Sequence, residues 1–295
     1  MAGARVRYTS PDEDSARWDG FSFRSGDIVL STRSKSGTTW LQMICALLVF
    51  QRPELPGSLG DLSPWLDHLV EPRDAVVRRL EAQRHRRFIK THTPLDGIPV
   101  EDEVTYLVAA RHPLDMAVSL YHQGDNIDRQ RLQELTGASP SATSAARPPV
   151  DVWLAAWMER DTTAQEQMDS LPGVLHHLSD AWARRARPNV LLVHYDDLVD
   201  DLGGEMRRIA DRLDVAVPEE RWPGLVEAAR FTSMRARADS LTPNTLGILK
   251  DPQAFFRAGR SGTGREVLTA EQLRRYHERA AALAPADLLT WLHRA

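Results

Sequence analysis

The stretch "TRSKSGTTWLQ" (residues 32–42) connects two apolar segments through a short polar loop. The segment "GDIVLST" (26–32) predicts a short buried strand, and residues 38–50 predict a helix with an apolar face. Small and hydroxyl residues at a helix start suit a phosphate, because free backbone N–H groups and the positive end of the helix dipole lie there. The loop lacks the G-x-x-x-x-G-K-[ST] spacing that holds nucleotide triphosphates. A turn before a threonine-capped helix is the alternative that the loop alone leaves open.

Three further apolar runs predict the rest of a sheet: "RRFIKTH" (86–92), "EVTYLVAAR" (103–111) and "NVLLVHY" (189–195). Helical patterns follow two of them, "HPLDMAVSLYHQ" (112–123) and "DDLVDDLGGEMRRIADRLDV" (196–215). Strands that alternate with helices indicate βαβ units. The sequence therefore predicts an α/β fold with a central parallel sheet flanked by helices.

One domain is predicted over residues 1–295, because no internal repeat or second composition interrupts the pattern. Residues 1–25 are interpreted as an N-terminal extension. Residues 125–150 are predicted to be a mobile surface loop, since "GASPSATSAARPPV" (137–150) is small, polar and rich in proline. Residues 231–270 show little periodicity and are predicted to form an extended segment that folds over an anion.

Composition narrows the class of protein. The 295 residues are 42% hydrophobic and 26% charged, which is ordinary for a globular protein. The net charge of −4 argues against nucleic acid as the partner. The single cysteine, Cys45, suits a reducing compartment. The first twenty residues show no secretory h-region, and the apolar stretch 40–50 is too short to span a bilayer, so a cytoplasmic location is predicted.

Lysine is rare in this chain. Of 37 basic residues only three are lysine: Lys35, Lys90 and Lys250. Lysine carries a compact point charge that arginine cannot replace in a small space. Lys35 follows one predicted strand and Lys90 lies near the end of another, so we interpret both as residues that take part in binding or catalysis.

Five stretches carry a resemblance to a known family. "SKSGTTW" (34–40) resembles the K-S-G-T-T-W loop with which cytosolic-type sulfotransferases hold the 5′-phosphosulfate of 3′-phosphoadenosine 5′-phosphosulfate (PAPS). Four more match in the family's order: "KTHTP" (90–94), "RHPLDMAVS" (111–119), "HYDDLVDD" (194–201) and "FFRAGRSG" (255–262). The chain looks most like the mycobacterial glycolipid sulfotransferases, around "SPWLD" (63–67) and "HRRFIKTHTPLDG" (85–97). The resemblance implies a P-loop-like sulfotransferase fold and PAPS as donor, with no metal.

The resemblance implies catalytic roles for three residues. His92 would take the acceptor proton as general base, Lys35 would contact the bridging oxygen of the leaving phosphate, and Lys90 the transferring sulfuryl oxygens. The residues themselves support part of this assignment. Side chains alternate along a strand, so Lys90 and His92 lie on one face. His92 also ends a predicted strand, where open α/β sheets bind ligands.

The resemblance also implies a donor-binding set. The 5′-phosphosulfate would contact Lys35, Ser36, Gly37, Thr38 and Thr39. The 3′-phosphate would contact Arg111, Ser119, Arg257 and the backbone of Gly259, and arginine's fork suits such a group. The adenine would contact Trp40, Tyr195, Phe231 and Met234, although each apolar side chain alone is typical of core packing.

The chain departs from the family pattern at three places. Thr263-Gly264-Arg265 replaces Asp-Trp-Lys and Ala258 replaces a lysine, which predicts weaker donor binding with Arg260 or Arg265 compensating. Arg33-Ser34 replaces Tyr-Pro, a change expected to matter little. The family's dimer motif would fall at 265–274, where Ala270 and Arg274 break it, so no dimer is predicted and the oligomeric state stays open.

The predicted function is transfer of a sulfuryl group from PAPS to a hydroxyl of a small apolar or amphipathic acceptor, with an amine as the less favoured acceptor group. A glycolipid or lipid alcohol is favoured. Aromatic and histidine side chains supply the candidate acceptor lining: Trp65, Phe88, Tyr121, His122, Trp153 and Trp157. One alternative is a kinase-like phosphoryl transferase with an atypical P-loop and Asp196 or Asp197 holding Mg²⁺. Another is a non-catalytic nucleotide-binding relative, which the altered segment after residue 262 suggests.

Overall fold

Four parallel strands form the sheet of this protein. The computed structural model describes residues 5–137, 147–242 and 246–294. The strands are β1 (Ile28–Thr32), β2 (Phe88–Thr91), β3 (Thr105–Ala110) and β4 (Val190–His194). Their order is β2-β1-β3-β4, and every neighbouring pair is parallel. The predicted central parallel sheet is confirmed, and each strand is two or three residues shorter than the apolar run that predicted it.

The strand register brings the carboxyl ends of all four strands to one edge. Leu30 of β1 lies opposite Lys90 of β2 and Leu107 of β3, and Ala110 pairs with His194 of β4. The loops that leave the strands therefore meet at this edge, where open parallel sheets bind their ligands.

Helices fill the connections between the strands. Among the described residues they are α1 (Thr38–Phe50), α2 (Leu59–Leu62), α3 (Arg73–Ala82), α4 (Pro113–Asn126), α5 (Arg129–Thr136), α6 (Val150–Glu159), α7 (Leu171–Ala183), α8 (Tyr195–Asp200), α9 (Leu202–Arg212), α10 (Trp222–Ala229), α11 (Phe231–Ala236), α12 (Ala238–Leu241), α13 (Pro252–Phe255), α14 (Thr263–Val267), α15 (Ala270–Leu283) and α16 (Ala286–Leu292). The bounds of α1 are as predicted, and α4 begins at Pro113, one residue after the start of the helical pattern at His112. None of these described helices combines the length and apolar character that crossing a bilayer requires.

Both faces of the sheet are buried. Val29 and Tyr106 point into a core that includes residues of α4, α6, α7, α15 and α16. Their strand neighbours Leu30 and Leu107 point into a second core, built with α1, α9 and α10. A parallel sheet needs cover on both faces because its strands are apolar throughout.

Two predicted elements differ from the structure. Residues 196–215 were expected to form one helix, but the helix is interrupted at Asp201. The Asp201 side chain caps α9 by accepting from the Gly204 N–H at 2.8 Å. Aspartate favours this capping conformation over a helix interior. Residues 231–270 were expected to be extended, but they contain α11 to α14, each of four to six residues. Such short helices leave no periodicity in the sequence.

The predicted mobile loop and N-terminal extension also contain ordered structure. Helix α5 lies inside the range 125–150, and residues 138–146 of that range lie outside the described residues. In the N-terminal range 1–25, Tyr8 and Trp18 are fully buried. Trp18 Nε1 donates to Asp67 at 3.0 Å. The described part of the N-terminal segment is therefore packed against the segment that precedes β2.

Candidate active site

A cavity of about 810 Å³ opens at the carboxyl edge of the sheet. Each strand sends residues into its wall: Lys35 follows β1, His92 follows β2, Arg111 follows β3 and Tyr195 follows β4. All the residues that the sequence singled out for catalysis and donor binding line this cavity except Ser36, which is buried behind it. The fold thus brings together residues that lie 160 positions apart in the chain, from Lys35 to Tyr195.

The loop after β1 leaves the start of α1 without a side-chain cap. Gly37 is the N-cap residue at φ 107°, and no side chain accepts from the first turn. The threonine-capped alternative is therefore wrong, because Thr38 Oγ1 instead meets Thr32 Oγ1 at 2.5 Å. A Cβ on Gly37 would lie 3.3 Å from the Tyr195 ring. Left-handed backbone and close packing both favour glycine here, and the N–H groups of α1 stay available to an anion.

Lys35 lies among other cations. Its Nζ donates to Gln123 Oε1 at 3.2 Å and lies 4.0 Å from the centre of the Phe255 ring. The pKa of Lys35 is lowered to about 7. Burial is the main cause, and the positive charges of Arg111, Lys90 and Arg257 act in the same direction. A buried amine held beside three other cations is a site prepared for an anion.

Lys90 and His92 share one aromatic neighbour, as strand alternation predicted. Lys90 Nζ lies 3.6 Å from the centre of the Trp65 ring, and the His92 ring meets the same indole edge-on at 4.6 Å. Burial lowers the pKa of Lys90 to about 8, while Glu13, Asp67 and Asp12 oppose that shift. The two side chains thus face one small region of the cavity.

The hydrogen bond at His92 Nδ1 fixes the tautomer of the ring. Nδ1 contacts the backbone carbonyl oxygen of Thr32, which can only accept, so Nδ1 carries the proton. Burial and the charges of Lys90 and Arg33 hold the pKa of His92 well below its usual value. The ring is therefore neutral near pH 7, and Nε2 keeps the lone pair that a general base needs.

Two arginines, Arg111 and Arg257, line the cavity close to Lys35. Arg111 donates to the carbonyl oxygens of Lys35 at 3.1 Å and Arg260 at 3.2 Å, and its guanidinium lies 4.2 Å from the centre of the Tyr195 ring. Nε of Arg111 and Nε of Arg257 have no hydrogen-bond partner within the described protein. Burial and the charges of Arg111 and Arg260 lower the pKa of Arg257. Ser119 of α4 adds a hydroxyl to this wall.

The aromatic set predicted for the adenine lies near these arginines. The Trp40 and Tyr195 rings meet edge-on at 5.3 Å, and Trp40 Nε1 donates to Ala229 O at 2.9 Å. A Cβ on Gly259, which has φ 61°, would lie 2.5 Å from the Phe231 ring. Met234 is buried and also lines the cavity. The four side chains therefore combine core packing with an exposed cavity face.

The altered segment after residue 262 is anchored by Asp115 rather than by a new arginine. Asp115 accepts from Gly262 N at 2.8 Å, Gly264 N at 2.6 Å and Thr263 Oγ1 at 3.1 Å. The expected compensation by Arg260 or Arg265 is not seen: Arg260 pairs with exposed Glu266 at 2.6 Å, and neither arginine lines the cavity.

The six candidates for the acceptor lining lie in different parts of the structure. Trp65 lines the cavity, whereas Phe88 and Trp157 lie in the two cores and Tyr121, His122 and Trp153 stay outside its wall. Aromatic character alone does not separate a core position from a cavity position. Aliphatic side chains of two other segments supply the apolar wall instead: Ile127, Leu132, Leu246, Ile248 and Leu249.

Arg33 was expected to matter little, but it is central to the site. Its guanidinium is buried, donates to the backbone oxygen of His92 and forms an ion pair of 2.6 Å with Asp169. Glu13 is a second lining residue that the sequence analysis missed. The departure from Tyr-Pro at Arg33-Ser34 was the sequence feature that could have drawn attention to Arg33. A buried arginine requires an acidic partner, which here is Asp169.

The acids that a kinase-like site would use are engaged elsewhere. Asp196 accepts from Ser261 and Asp197 pairs with Arg294 at 2.5 Å, and neither lines the cavity. In the described part of the chain, no group of three or more histidine, cysteine, aspartate or glutamate side chains is arranged to hold a metal ion.

Comparison with known proteins agrees with this geometry. Residues 25–284 match the family model of the sulfotransferase domain. The chain is 42% identical over 308 residues to a glycolipid sulfotransferase of Mycobacterium tuberculosis, a match that covers 98% of this chain and 94% of that protein. A glycolipid sulfotransferase of Mycobacterium bovis is 41% identical with the same coverage.

A solved structure shares the fold at lower identity. Retinol dehydratase in a complex with retinol and PAP superposes with a TM-score of 0.70 and 22% identity, over 95% of this chain and 86% of that chain. This likeness concerns the fold, whereas the matched domain and the mycobacterial relatives extend to sequence. From these matches it follows that the chain belongs to the sulfotransferase family.

Proposed function

We propose that this protein transfers a sulfuryl group from PAPS to a hydroxyl of an amphipathic acceptor, a glycolipid or a lipid alcohol. The observation that carries the proposal is the meeting of Lys35, Lys90, His92 and Arg111 in one cavity at the carboxyl edge of the sheet. The mycobacterial relatives named glycolipid sulfotransferases support the class of acceptor.

The donor end of the cavity fits a nucleotide with two phosphate groups. The uncapped start of α1 and Lys35 would hold the 5′-phosphosulfate. Arg111 and Arg257, each with an unpaired Nε, would hold the 3′-phosphate with Ser119 and the Gly259 backbone. Trp40, Tyr195, Phe231 and Met234 would contact the base. When bound, the donor supplies the sulfuryl group and a phosphate leaving group.

The remaining residues act on the acceptor and on the developing charge. Nε2 of His92 accepts the hydroxyl proton while the acceptor oxygen attacks sulfur and the bond from sulfur to the phosphate oxygen breaks. Lys90 would stabilise the sulfuryl oxygens, and Lys35 the negative charge on the departing phosphate. The Thr32 carbonyl keeps the neutral His92 ring in the required tautomer before the proton is transferred.

The test of this function is His92→Ala with ³⁵S-labelled PAPS and a panel of phenols, sterols and glycolipids. We expect transfer to fall by about 10²–10⁴-fold, the usual contribution of a general base. The Kd of adenosine 3′,5′-bisphosphate (PAP), the donor without its sulfuryl group, should stay within about twofold. An active His92→Ala variant would show that His92 is not the base. If PAP raises the melting temperature but the wild-type protein sulfates no acceptor, the protein is a non-catalytic nucleotide-binding relative.

A further inference from the structure

We propose that one side of the cavity is a glycosyl subsite, formed by Glu13, Arg33, Ser63 and Trp65, that binds the sugar hydroxyls of the acceptor beside His92. The inference rests on the proposed function and specifies it: sulfate goes to the sugar end of an amphipathic acceptor and not to the lipid end.

Four buried polar atoms of the glycosyl subsite have no partner within the described protein. They are Glu13 Oε2, Arg33 Nε, Ser63 Oγ and Trp65 Nε1, and all four residues line the cavity. Glu13 is only 5% exposed and Ser63 only 1%. More than nine in ten buried polar groups are normally paired, so four unpaired atoms on residues that line one cavity point to a ligand that pairs with them.

The mixture of these atoms selects the chemistry of the ligand. Glu13 Oε2 is an acceptor, Arg33 Nε and Trp65 Nε1 are donors, and Ser63 Oγ is both. A phosphate or carboxylate would match only the donors, and an ammonium group only the acceptor. Adjacent hydroxyl groups offer both functions at each oxygen, so a sugar matches the whole set.

The charge of this wall agrees with a neutral polyol. Asp12 and Asp169 also line the cavity, and their charges act on Glu13, so they disfavour an anionic ligand beside it. Asp169 is paired with Arg33 at 2.6 Å. Burial raises the pKa of Glu13 well above its usual value, against the opposing charge of Arg33.

Backbone pairing places the glycosyl subsite next to the proposed base. Glu13 forms a β-bridge with His68, and Trp65 forms one with Lys90. The Trp65 ring contacts His92 at 4.6 Å, and Arg33 donates to the His92 backbone oxygen. A sugar held by these residues therefore brings its own hydroxyls to His92.

A different part of the wall suits the lipid. Ile127 and Leu249 form a β-bridge, and Leu246 and Ile248 extend the same apolar surface. These residues come from the end of α4 and from the segment before α13, remote in sequence from the glycosyl subsite. The two surfaces give one cavity the amphipathic character of a glycolipid.

The experiment uses 8-hydroxyoctyl β-D-glucopyranoside, an acceptor with a hydroxyl at both ends, together with PAPS. Tandem mass spectrometry locates the sulfate on the sugar or on the alkyl terminus. In the wild-type protein we expect the sugar product to dominate. Glu13→Ala should lower the sugar-to-alkyl product ratio by about 10-fold, the effect of losing one buried hydrogen bond. Because the readout is a ratio within one reaction, a partial loss of folded protein does not change it.

Ser63→Ala is the second variant, since Ser63 Oγ makes no hydrogen bond within the described protein whose loss would destabilise the fold. It should lower the same ratio, and it serves alone if Glu13→Ala does not fold. Asp19→Ala is the matched control: Asp19 lies in the same N-terminal segment, is exposed and does not line the cavity. Its product ratio should equal that of the wild type. Sulfate on the alkyl end in the wild type, or an unchanged ratio in both variants, overturns the proposal.

A failure of the proposed function is distinguishable from a failure of this inference. If no acceptor is sulfated although PAP binds, titration of octyl β-D-glucopyranoside into PAP-saturated protein tests the glycosyl subsite by itself. Weaker binding to Glu13→Ala or Ser63→Ala than to the wild type supports the subsite. Equal binding to all three proteins, or no binding to the wild type, overturns it.

Discussion

The pKa of Lys35 makes donor binding depend on pH. Without ligand, burial and the neighbouring cations lower that pKa to about 7, so half of the Lys35 side chains are neutral at pH 7 and roughly 99% at pH 9. A bound phosphate adds negative charge beside the amine and raises its pKa. Binding of adenosine 3′,5′-bisphosphate (PAP) therefore takes up a proton, and affinity falls as pH rises above 7.

The magnitude follows from the protonated fraction. If the amine stays charged in the complex, the Kd rises by the ratio of the free-state fractions, about 50-fold between pH 7 and pH 9, or about 2.3 kcal/mol. Lys90, which has a pKa of about 8, is assigned to the sulfuryl oxygens that PAP lacks, so we expect it to add little to this pH dependence. This window lies above the second pKa of a phosphate, near 6, so the ligand's own charge is constant.

Isothermal titration calorimetry with PAP measures both quantities. At pH 8, in two buffers of different ionisation enthalpy, the wild-type protein should take up roughly 0.9 proton per PAP at Lys35. Lys35→Met should bind PAP more weakly at pH 7 and should lose most of the pH dependence. A wild-type Kd that is constant from pH 7 to 9, with no proton uptake, would refute the assignment of Lys35 to the donor phosphate.

Three substitutions test other parts of the donor end. Gly37→Ala places a Cβ 3.3 Å from the Tyr195 ring at φ 107°, so we expect a loss of about 1–3 kcal/mol in the free energy of unfolding, measured by urea titration, and weaker PAP binding. Arg257→Ala should raise the Kd of PAP about 10-fold or more with little change in acceptor KM; equal effects on donor and acceptor would contradict its role. Asp115→Asn weakens the three hydrogen bonds that hold residues 262–264, so PAP should dissociate faster in stopped-flow experiments, and an unchanged rate would show that this anchor is dispensable.

The central layer of the fold could be predicted because its signals are local. Each strand lies in a mostly apolar run, and α4 begins at a proline, a residue that favours helix starts. The four short helices between residues 231 and 267 could not be predicted in the same way. They contain four to six residues each, and their positions depend on tertiary contacts such as Phe231 against Gly259 and Asp115 against Gly264.

The same division holds for the site. Residues at strand ends, such as Lys35, His92 and Arg111, were predictable because parallel strands bring their carboxyl ends together. Glu13 was not, because it lies in the N-terminal segment, far in sequence from the strands, and a bridge pairs it with His68. Aromatic residues were misplaced for a related reason: burial in a core and exposure in a cavity select the same side chains.

The two ends of the cavity differ in charge, and this difference bears on what the protein accepts. Lys35, Arg111 and Arg257 concentrate positive charge at the donor end, where both arginines help to lower the pKa of Lys35. Acidic side chains lie at the glycosyl subsite, so Lys90 has positive charges on one side and negative charges on the other. Glu13 raises the pKa of Lys90, against the effect of burial. A neutral sugar meets no repulsion at the acidic end, whereas an acceptor with a carboxylate beside the reacting hydroxyl would meet Asp12 and Asp169. Glucuronides should therefore be poorer acceptors than glucosides of the same chain length, because the added anion must be desolvated against these carboxylates.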